Sequence, residues 1–350
     1  MSKTKVFFIF LTVFLLFFGF FKSNAFFNAI GAKNSVVLIP GEQEVLGEEN
    51  EKKQDGNVVY NNQSTQDIFS VGLKNVGLIP VRKKNISDFR VWAGSSVAID
   101  VSSGTILHYD NGRKQTQIAS LTKMMTATLA VENIKDFNAE VTVPKEALQV
   151  DGTVVGCPTS VFCNGNRMFA GEKVHAIDLL RAMLLNSAND AATALGIYIA
   201  GSKDKFVDMM NQRAHDLGLV DTHFCTPSGL EIDGHENECY SSAYDIARIA
   251  SESMKYDLIW NTMKIPEGQF FSTDGKRMHL LKNTDLLLDN VPNCLGGKTG
   301  FTPLAGKSLM LGATDLSGKH KIIFVLLNDE KRWEDMRSLV SWVDASYEWK

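Results

Sequence analysis

Seven residues in the first half of the chain read Ala119-Ser120-Leu121-Thr122-Lys123-Met124-Met125. They open a run in which apolar or small side chains occupy almost every side of a helix, and no charge follows Lys123 until Glu132. A helix that is apolar all round is normally buried. The pattern therefore predicts a core helix whose one early cation lies a turn past a serine on the same face.

Ser120 and Lys123 have the spacing of a serine nucleophile and its base. Burial would disfavour the ammonium form, which would lower the pKa of Lys123 and let its amine take a proton from Ser120. At the helix N-terminus, free N–H groups would favour the negative charge of an acyl-transfer intermediate. The alternative is structural, with Ser120 as a helix cap and Lys123 extended to the surface. A motif this short does not decide between the two.

Two further motifs follow in the chain. Ser187-Ala188-Asn189 comes after the apolar run 179–185, and Lys298-Thr299-Gly300 precedes a run typical of a strand. The three motifs, in this order, are those of penicillin-binding proteins and serine β-lactamases. With the flanking residues 184–192, 297–306 and 244–247, the chain from about Val91 onwards resembles the low-molecular-mass D-alanyl-D-alanine carboxypeptidases.

This resemblance implies a catalytic role for three residues. Ser120 would attack the carbonyl between the two terminal D-alanines of a peptidoglycan pentapeptide, with Lys123 as proton acceptor. Ser187 would relay a proton to the leaving amine. Water would then release the acyl group from Ser120.

The same resemblance implies a set of substrate-binding residues. Asn189 would bind the substrate's amide backbone, while Lys298 and Thr299 would hold its terminal carboxylate. Gly300 would let the substrate lie close to the strand because it has no side chain. The oxyanion hole would consist of the backbone N–H groups of Ser120 and Phe301.

The resemblance implies no cofactor and no metal, and it makes β-lactam antibiotics covalent inhibitors. Three alternatives share these motifs: a D,D-endopeptidase, a β-lactamase and a catalytically inactive wall-binding module. Class A β-lactamases add a Glu-x-x-Leu-Asn stretch that activates the deacylating water, and the chain contains none. A net charge of −4 without a long basic run gives no indication of a nucleic-acid partner.

The N-terminus has the pattern of an export signal. Lys3 and Lys5 precede an apolar run over residues 6–21, and small residues follow at Ser23 and Ala25. We expect residues 1–25 to be a signal peptide cleaved after Ala25, or alternatively an uncleaved anchor. The protein would then be exported to the periplasm or the outer face of the cytoplasmic membrane, with any membrane attachment through its N-terminus. Residues 26–89, rich in polar residues, are predicted to be a flexible tether to a catalytic domain over residues 90–350.

The pattern of elements predicts an α/β fold, with an antiparallel sheet flanked by helices plus a mostly helical subdomain. Hairpins are predicted around residues 101–104 and 315–318 near the two chain ends, and helices between them. A closing amphipathic helix is expected over residues 333–349. Ser242 to Asp245 has the pattern of a capping box, so Asp245 is expected to be structural.

Five cysteines are present. In an exported protein, Cys157 with Cys163 and Cys225 with Cys239 are the economical disulfide pairs, which leaves Cys294 free. The sequence does not prove this connectivity. A zinc site formed by His223, Cys225, His235 and Cys239 is the alternative, although its spacing is irregular.

Overall fold

The structure is a computed structural model that describes residues 78–158 and 162–350. The signal peptide or anchor predicted over residues 1–25 and most of the tether predicted over residues 26–89 lie outside these ranges. Among the helices in the described ranges, none is long and apolar enough to cross a membrane.

The described part of the chain alternates short strands and helices. Its strands, in chain order, are β1 (Pro80–Arg82), β2 (Ser95–Asp100), β3 (Ile106–Asp110), β4 (Glu140–Thr142), β5 (Lys173–His175), β6 (Glu267–Phe271), β7 (Met278–Lys282), β8 (Cys294–Thr302), β9 (Gly306–Thr314), β10 (Lys321–Leu327) and β11 (Tyr347–Trp349). Its α-helices are α1 (Lys123–Asn133), α2 (Ala176–Leu185), α3 (Asn189–Ala200), α4 (Lys203–Asp216), α5 (Ala243–Ser253), α6 (Asp257–Met263) and α7 (Arg332–Ser346). Single 3₁₀ turns lie at Ala119–Thr122, Lys145–Leu148 and Glu236–Glu238.

The central sheet has five antiparallel strands in the order β3-β2-β10-β9-β8. Both predicted hairpins are confirmed, since β2 pairs with β3 and β9 pairs with β10. The predicted fold class is also confirmed, because helices cover this sheet and form a separate helical region. The Lys298-Thr299-Gly300 motif lies on β8, at one edge of the sheet.

Both faces of the sheet are buried, and alternate residues of β10 show it. Ile323 and Val325 pack into a large core with the helices of the helical region. Phe324 and Leu326 point the other way, into a smaller core formed with α7. Because successive strand residues face opposite sides, this uninterrupted apolar strand joins the two cores.

The helix predicted after Ser120 is confirmed as a core element. Every residue of α1 from Lys123 to Ala130 is buried, and Lys123 is fully so. Ser120 itself lies in the 3₁₀ turn Ala119–Thr122 directly before α1, so it precedes the first residue of the α-helix. The cap predicted at Ser242 is confirmed as well, since its Oγ accepts a hydrogen bond from the backbone N–H of Asp245 at 3.1 Å.

Pairing between β1 and β11 places two boundaries differently from the sequence prediction. The closing helix ends at Ser346 rather than residue 349, and β11 follows it. This strand pairs with β1, which lies inside the predicted tether, so the folded domain starts before residue 90. Strands of three residues show no alternation in sequence, and these two partners are far apart in the sequence. Local patterns therefore give no sign of them.

The predicted disulfide pairs are confirmed. Cys157 bonds to Cys163 and Cys225 to Cys239, and Cys294 is a free thiol. Because Cys225 and Cys239 bond to each other, neither has a thiolate available to bind zinc. This excludes the alternative zinc site. The second disulfide joins two segments that also meet through the backbone pairing of His223 with Tyr240.

Candidate active site

Ser120 and Lys123 meet as the sequence predicts. The amine Nζ of Lys123 lies 2.7 Å from Ser120 Oγ. It also lies 2.7 Å from Asn189 Oδ1 and 2.7 Å from the backbone oxygen of Ser228. A neutral amine has two hydrogens and one lone pair. If the two carbonyl oxygens accept both hydrogens, the lone pair is directed at the Ser120 hydroxyl, which is the arrangement a general base needs.

The surroundings of Lys123 favour this neutral form. Burial lowers the pKa of Lys123 well below its ordinary value, and the positive charge of Lys298 lowers it further. The carboxylate of Asp190 acts in the opposite direction and does not outweigh burial. A buried amine without a paired carboxylate loses its proton more readily than one in water.

The backbone is strained on both sides of this pair. Ala119, directly before Ser120, has a φ of 47°, and Ser187 has a φ of 59°. Such left-handed conformations cost non-glycine residues on the order of 1 kcal/mol or more and concentrate at functional sites. The backbone carbonyl of Ala119 lies close to Gly229. A Cβ added to Gly229 would lie 2.0 Å from the oxygen of Ala119. The absence of a side chain at Gly229 therefore makes room for the turn that carries Ser120.

A second hydroxyl and amine pair lies in the same site. Lys298 Nζ donates to Ser187 Oγ at 2.9 Å and to the backbone oxygen of Thr299 at 2.9 Å. Burial, together with the charge of Arg332, lowers the pKa of Lys298 to about 7. Each serine of the site therefore has its own buried lysine.

Asn189 has two partners within the protein. Its Oδ1 accepts from Lys123, and its Nδ2 donates to the backbone oxygen of Asp151 at 2.7 Å. The side chain thus joins the base to the loop around residue 151. One amide hydrogen remains for the substrate that the sequence analysis assigns to it.

The three remaining predicted residues follow one another on β8. Thr299 Oγ1 forms a hydrogen bond with Thr284 Oγ1 at 2.7 Å. A Cβ at Gly300 would lie 2.9 Å from the backbone oxygen of Ile118. The missing side chain thus makes room for the turn before Ser120, which differs from the reason predicted from the sequence. Phe301 is 60% exposed at the rim of the site.

Sequence reasoning missed residues that act through backbone atoms or from distant elements. Ser228 contributes its carbonyl oxygen to Lys123. Arg332, the first residue of α7, donates to the backbone oxygens of Gly300 at 2.9 Å and Ser308 at 3.1 Å. The turn Pro227-Ser228-Gly229 was visible as a turn signal, but nothing in the sequence indicates that its carbonyl faces a lysine.

Comparison with known proteins identifies the family. The model of the peptidase S11 family, D-alanyl-D-alanine carboxypeptidase, matches residues 82–331. The chain belongs to this family. The family resemblance inferred from the three motifs is thereby confirmed, and the S11 match begins at β1, earlier than the predicted domain boundary.

Curated relatives of the S11 chain carry carboxypeptidase names. D-alanyl-D-alanine carboxypeptidase DacD of Escherichia coli is 33% identical over 262 residues, which are 73% of this chain and 64% of the relative. DacF of Bacillus subtilis is 32% identical over 221 residues, 63% of this chain and 53% of the relative. The chain therefore spans between about half and two thirds of the length of these relatives.

Solved structures share the fold of the S11 chain. A D-alanyl-D-alanine carboxypeptidase from Mycobacterium tuberculosis superposes with a TM-score of 0.65 at 27% identity, covering 76% of this chain and 96% of that one. Penicillin-binding protein D2 of Listeria monocytogenes, in its ampicillin-bound form, has a TM-score of 0.61 at 27% identity, covering 73% and 99%.

Proposed function

We propose that the protein is a serine-type D-alanyl-D-alanine carboxypeptidase that removes the terminal D-alanine from peptidoglycan stem peptides through an acyl-enzyme. The observation that carries the proposal is the 2.7 Å contact between the fully buried Lys123 amine and Ser120 Oγ. A hydroxyl whose proton has an adjacent neutral base is a nucleophile at neutral pH. The names of the relatives supply the substrate class.

Acylation begins with proton transfer from Ser120 to Lys123. The Oγ of Ser120 bonds to the carbonyl carbon between the two D-alanines, and the carbonyl oxygen becomes an oxyanion held by the N–H groups of Ser120 and Phe301. Collapse of this intermediate breaks the C–N bond. Ser187, paired with Lys298, passes a proton to the departing amine of D-alanine. Water then hydrolyses the ester and restores Ser120.

The terminal carboxylate of the substrate binds beside Lys298 and Thr299. Both side chains are buried, and an approaching carboxylate favours the charged form of a lysine whose pKa is about 7. The preceding residues lie along the open edge of β8, since an edge strand offers unpaired backbone groups to an extended peptide. Because the site requires a free terminal carboxylate on the substrate, the enzyme acts as a carboxypeptidase.

Endopeptidase activity on peptide cross-links is the second candidate. A D-alanyl-D-alanine endopeptidase of Pseudomonas aeruginosa is 27% identical over 255 residues, 72% of this chain and 77% of the relative. Such an enzyme uses the same nucleophile and differs in the width of the groove. Digestion of cross-linked muropeptides followed by mass spectrometry separates the two activities.

We further propose that the protein acts outside the cytoplasm, where its substrate is located. The apolar run over residues 6–21 and the two disulfides support export. Cleavage after Ala25 would release the chain, whereas retention of residues 1–25 would anchor it. N-terminal sequencing of the mature protein distinguishes these outcomes.

The direct test of the activity is release of D-alanine from a synthetic pentapeptide. The wild type is expected to release one D-alanine per peptide and the Ser120→Ala variant none. Because only the hydroxyl is removed from a half-exposed side chain, the variant should remain folded. Equal release by both proteins would refute the proposed role of Ser120.

A further inference from the structure

The order of groups along β8 sets the direction of a bound peptide, given the proposed function. The terminal carboxylate lies at Lys298 and Thr299, and the scissile carbonyl lies at the N–H of Phe301. A strand advances about 3.3 Å per residue. The residue that precedes D-alanyl-D-alanine therefore lies beside Thr302, the last residue of β8.

A carboxylate lies beside the C-terminal end of β8. Glu231 Oε1 accepts a short hydrogen bond from the hydroxyl of Thr302. Glu231 follows Ser228, whose carbonyl contacts Lys123, and Gly229, which packs against Ala119. The same short segment thus connects the general base, the nucleophile turn and this carboxylate.

The carboxylate of Glu231 has no cation beside it. Of the ion pairs formed by residues 78–158 and 162–350, none includes Glu231. Its Oε2 also has no hydrogen-bond partner among these residues, although the side chain is partly buried. The hydrogen bond from Thr302 fixes the Oε1 atom of Glu231 and leaves Oε2 available to a ligand.

We propose that Glu231 is a specificity-determining residue that binds a free side-chain amine on the stem-peptide residue preceding D-alanyl-D-alanine. The carboxylate lies on the acyl side of the scissile bond, where it opposes the charge of an ammonium group and repels a carboxylate. A free amine at the end of a long side chain supplies that ammonium group. An acetylated amine keeps the length and loses the charge.

Two tripeptides test this assignment. Nα-acetyl-L-lysyl-D-alanyl-D-alanine has a free side-chain amine, and Nα,Nε-diacetyl-L-lysyl-D-alanyl-D-alanine does not. Release of D-alanine gives kcat/KM for each peptide, and their ratio is the readout. We expect the wild type to prefer the free amine by about fivefold at low salt, as for a partly exposed ion pair. The ratio should fall to about one in Glu231→Gln, whose amide still accepts from Thr302.

Asp233→Asn is the matched control because Asp233 is exposed on the same loop. This variant should keep the wild-type ratio. A wild-type ratio near one, or an unchanged ratio in Glu231→Gln, would overturn the assignment while leaving the carboxypeptidase function intact. If the wild type releases D-alanine from neither peptide, the proposed function fails and the assignment fails with it.

Discussion

At the scale of single residues, the groups around Lys123 determine its protonation state. Among the residues that the structure describes, Lys123 has two carbonyl oxygens and one hydroxyl at 2.7 Å and no carboxylate within hydrogen-bond distance. A carboxylate partner would stabilise the ammonium form and prevent it from accepting a proton. Burial and the nearby Lys298 do the opposite, so the geometry and the charge distribution favour the same protonation state.

The pH dependence of acylation tests this coupling. Acylation by a penicillin should fall on the acid side as Lys123 becomes protonated. Replacing Lys298 with Gln removes a positive charge that lowers the pKa of Lys123, so this pKa rises and the acid limb moves to higher pH. The measurement is the labelling rate across pH. Lys282→Gln, at an exposed position, serves as control and should leave the limb in place.

An acid limb that stays in place in Lys298→Gln would contradict the coupling between the two lysines. The effect should be confined to acidic and neutral solutions, because Lys298 with a pKa of about 7 is largely uncharged above that pH. The overall labelling rate of Lys298→Gln will also fall, since Lys298 contacts Ser187. The position of the limb, rather than the rate, is therefore the informative quantity.

Gly300→Ala should displace β8 relative to the turn that carries Ser120. The new Cβ would lie 2.9 Å from the backbone oxygen of Ile118, so β8 or the turn before Ser120 must shift. Misplacement of reacting groups by about 1 Å can cost on the order of 100-fold in rate. We expect penicillin acylation to slow by about that factor. Gly268→Ala is the matched control, since its Cβ would meet nothing within 4 Å.

At the scale of elements, local pattern decided what the sequence could predict. The two hairpins, the core helix α1 and the cap at Ser242 each have a signal within a few residues, and each was predicted. The strands β1 and β11 each depend on a partner far away in the sequence, so no local signal exists. The same applies to Arg332, which contacts the backbone of Gly300, 32 residues earlier in the chain.

The Cys225–Cys239 disulfide should stabilise the segment that carries Ser228. It closes a loop with a sequence separation of 14, for which chain entropy predicts about 3 kcal/mol. The double variant Cys225→Ser with Cys239→Ser is expected to lose that much free energy of unfolding and to acylate more slowly, because the Ser228 carbonyl is less well held. Chemical denaturation and penicillin labelling measure the two effects.

Cys294→Ser is the control for this experiment, since Cys294 forms no disulfide. It should leave both quantities close to those of the wild type. A double variant as active and as stable as the wild type would show that the disulfide has no part in holding the site.

At the scale of the whole molecule, β1 and β11 close the domain. Besides their pairing, Tyr347 donates to the backbone oxygen of Leu107 at 2.7 Å, and Trp349 Nε1 donates to Asp100 at 3.0 Å. Truncation after Ser346 removes all of these contacts. We expect Tm to fall by about 5–10 °C, which corresponds to roughly 2–3 kcal/mol for a domain of this size. Lys350→Ala is the control, because it keeps the two backbone hydrogen bonds of residue 350 with Ile79 and should leave Tm nearly unchanged.

The side chains of the candidate site were easier to predict than the pairing of β1 with β11. Ser120, Lys123, Ser187 and Lys298 each carry their chemistry in the side chain, at a spacing that a motif records. Ser228 acts through its backbone carbonyl, which every residue type has. Glu231 has its place only because β8 ends beside it. Groups that depend on the assembled molecule leave no mark in the local sequence.

We propose that Ser120, activated by Lys123, forms an acyl-enzyme that water releases slowly when the acyl group is a penicillin. Intact-protein mass spectrometry after mixing with penicillin measures this acyl-enzyme. We expect one adduct of the drug's mass that persists, and no adduct on Ser120→Ala. Losing a positioned base for deacylation costs on the order of 100-fold or more in rate. An adduct that vanishes within seconds while the drug is hydrolysed in many-fold excess would refute the proposed slow release and favour a β-lactamase.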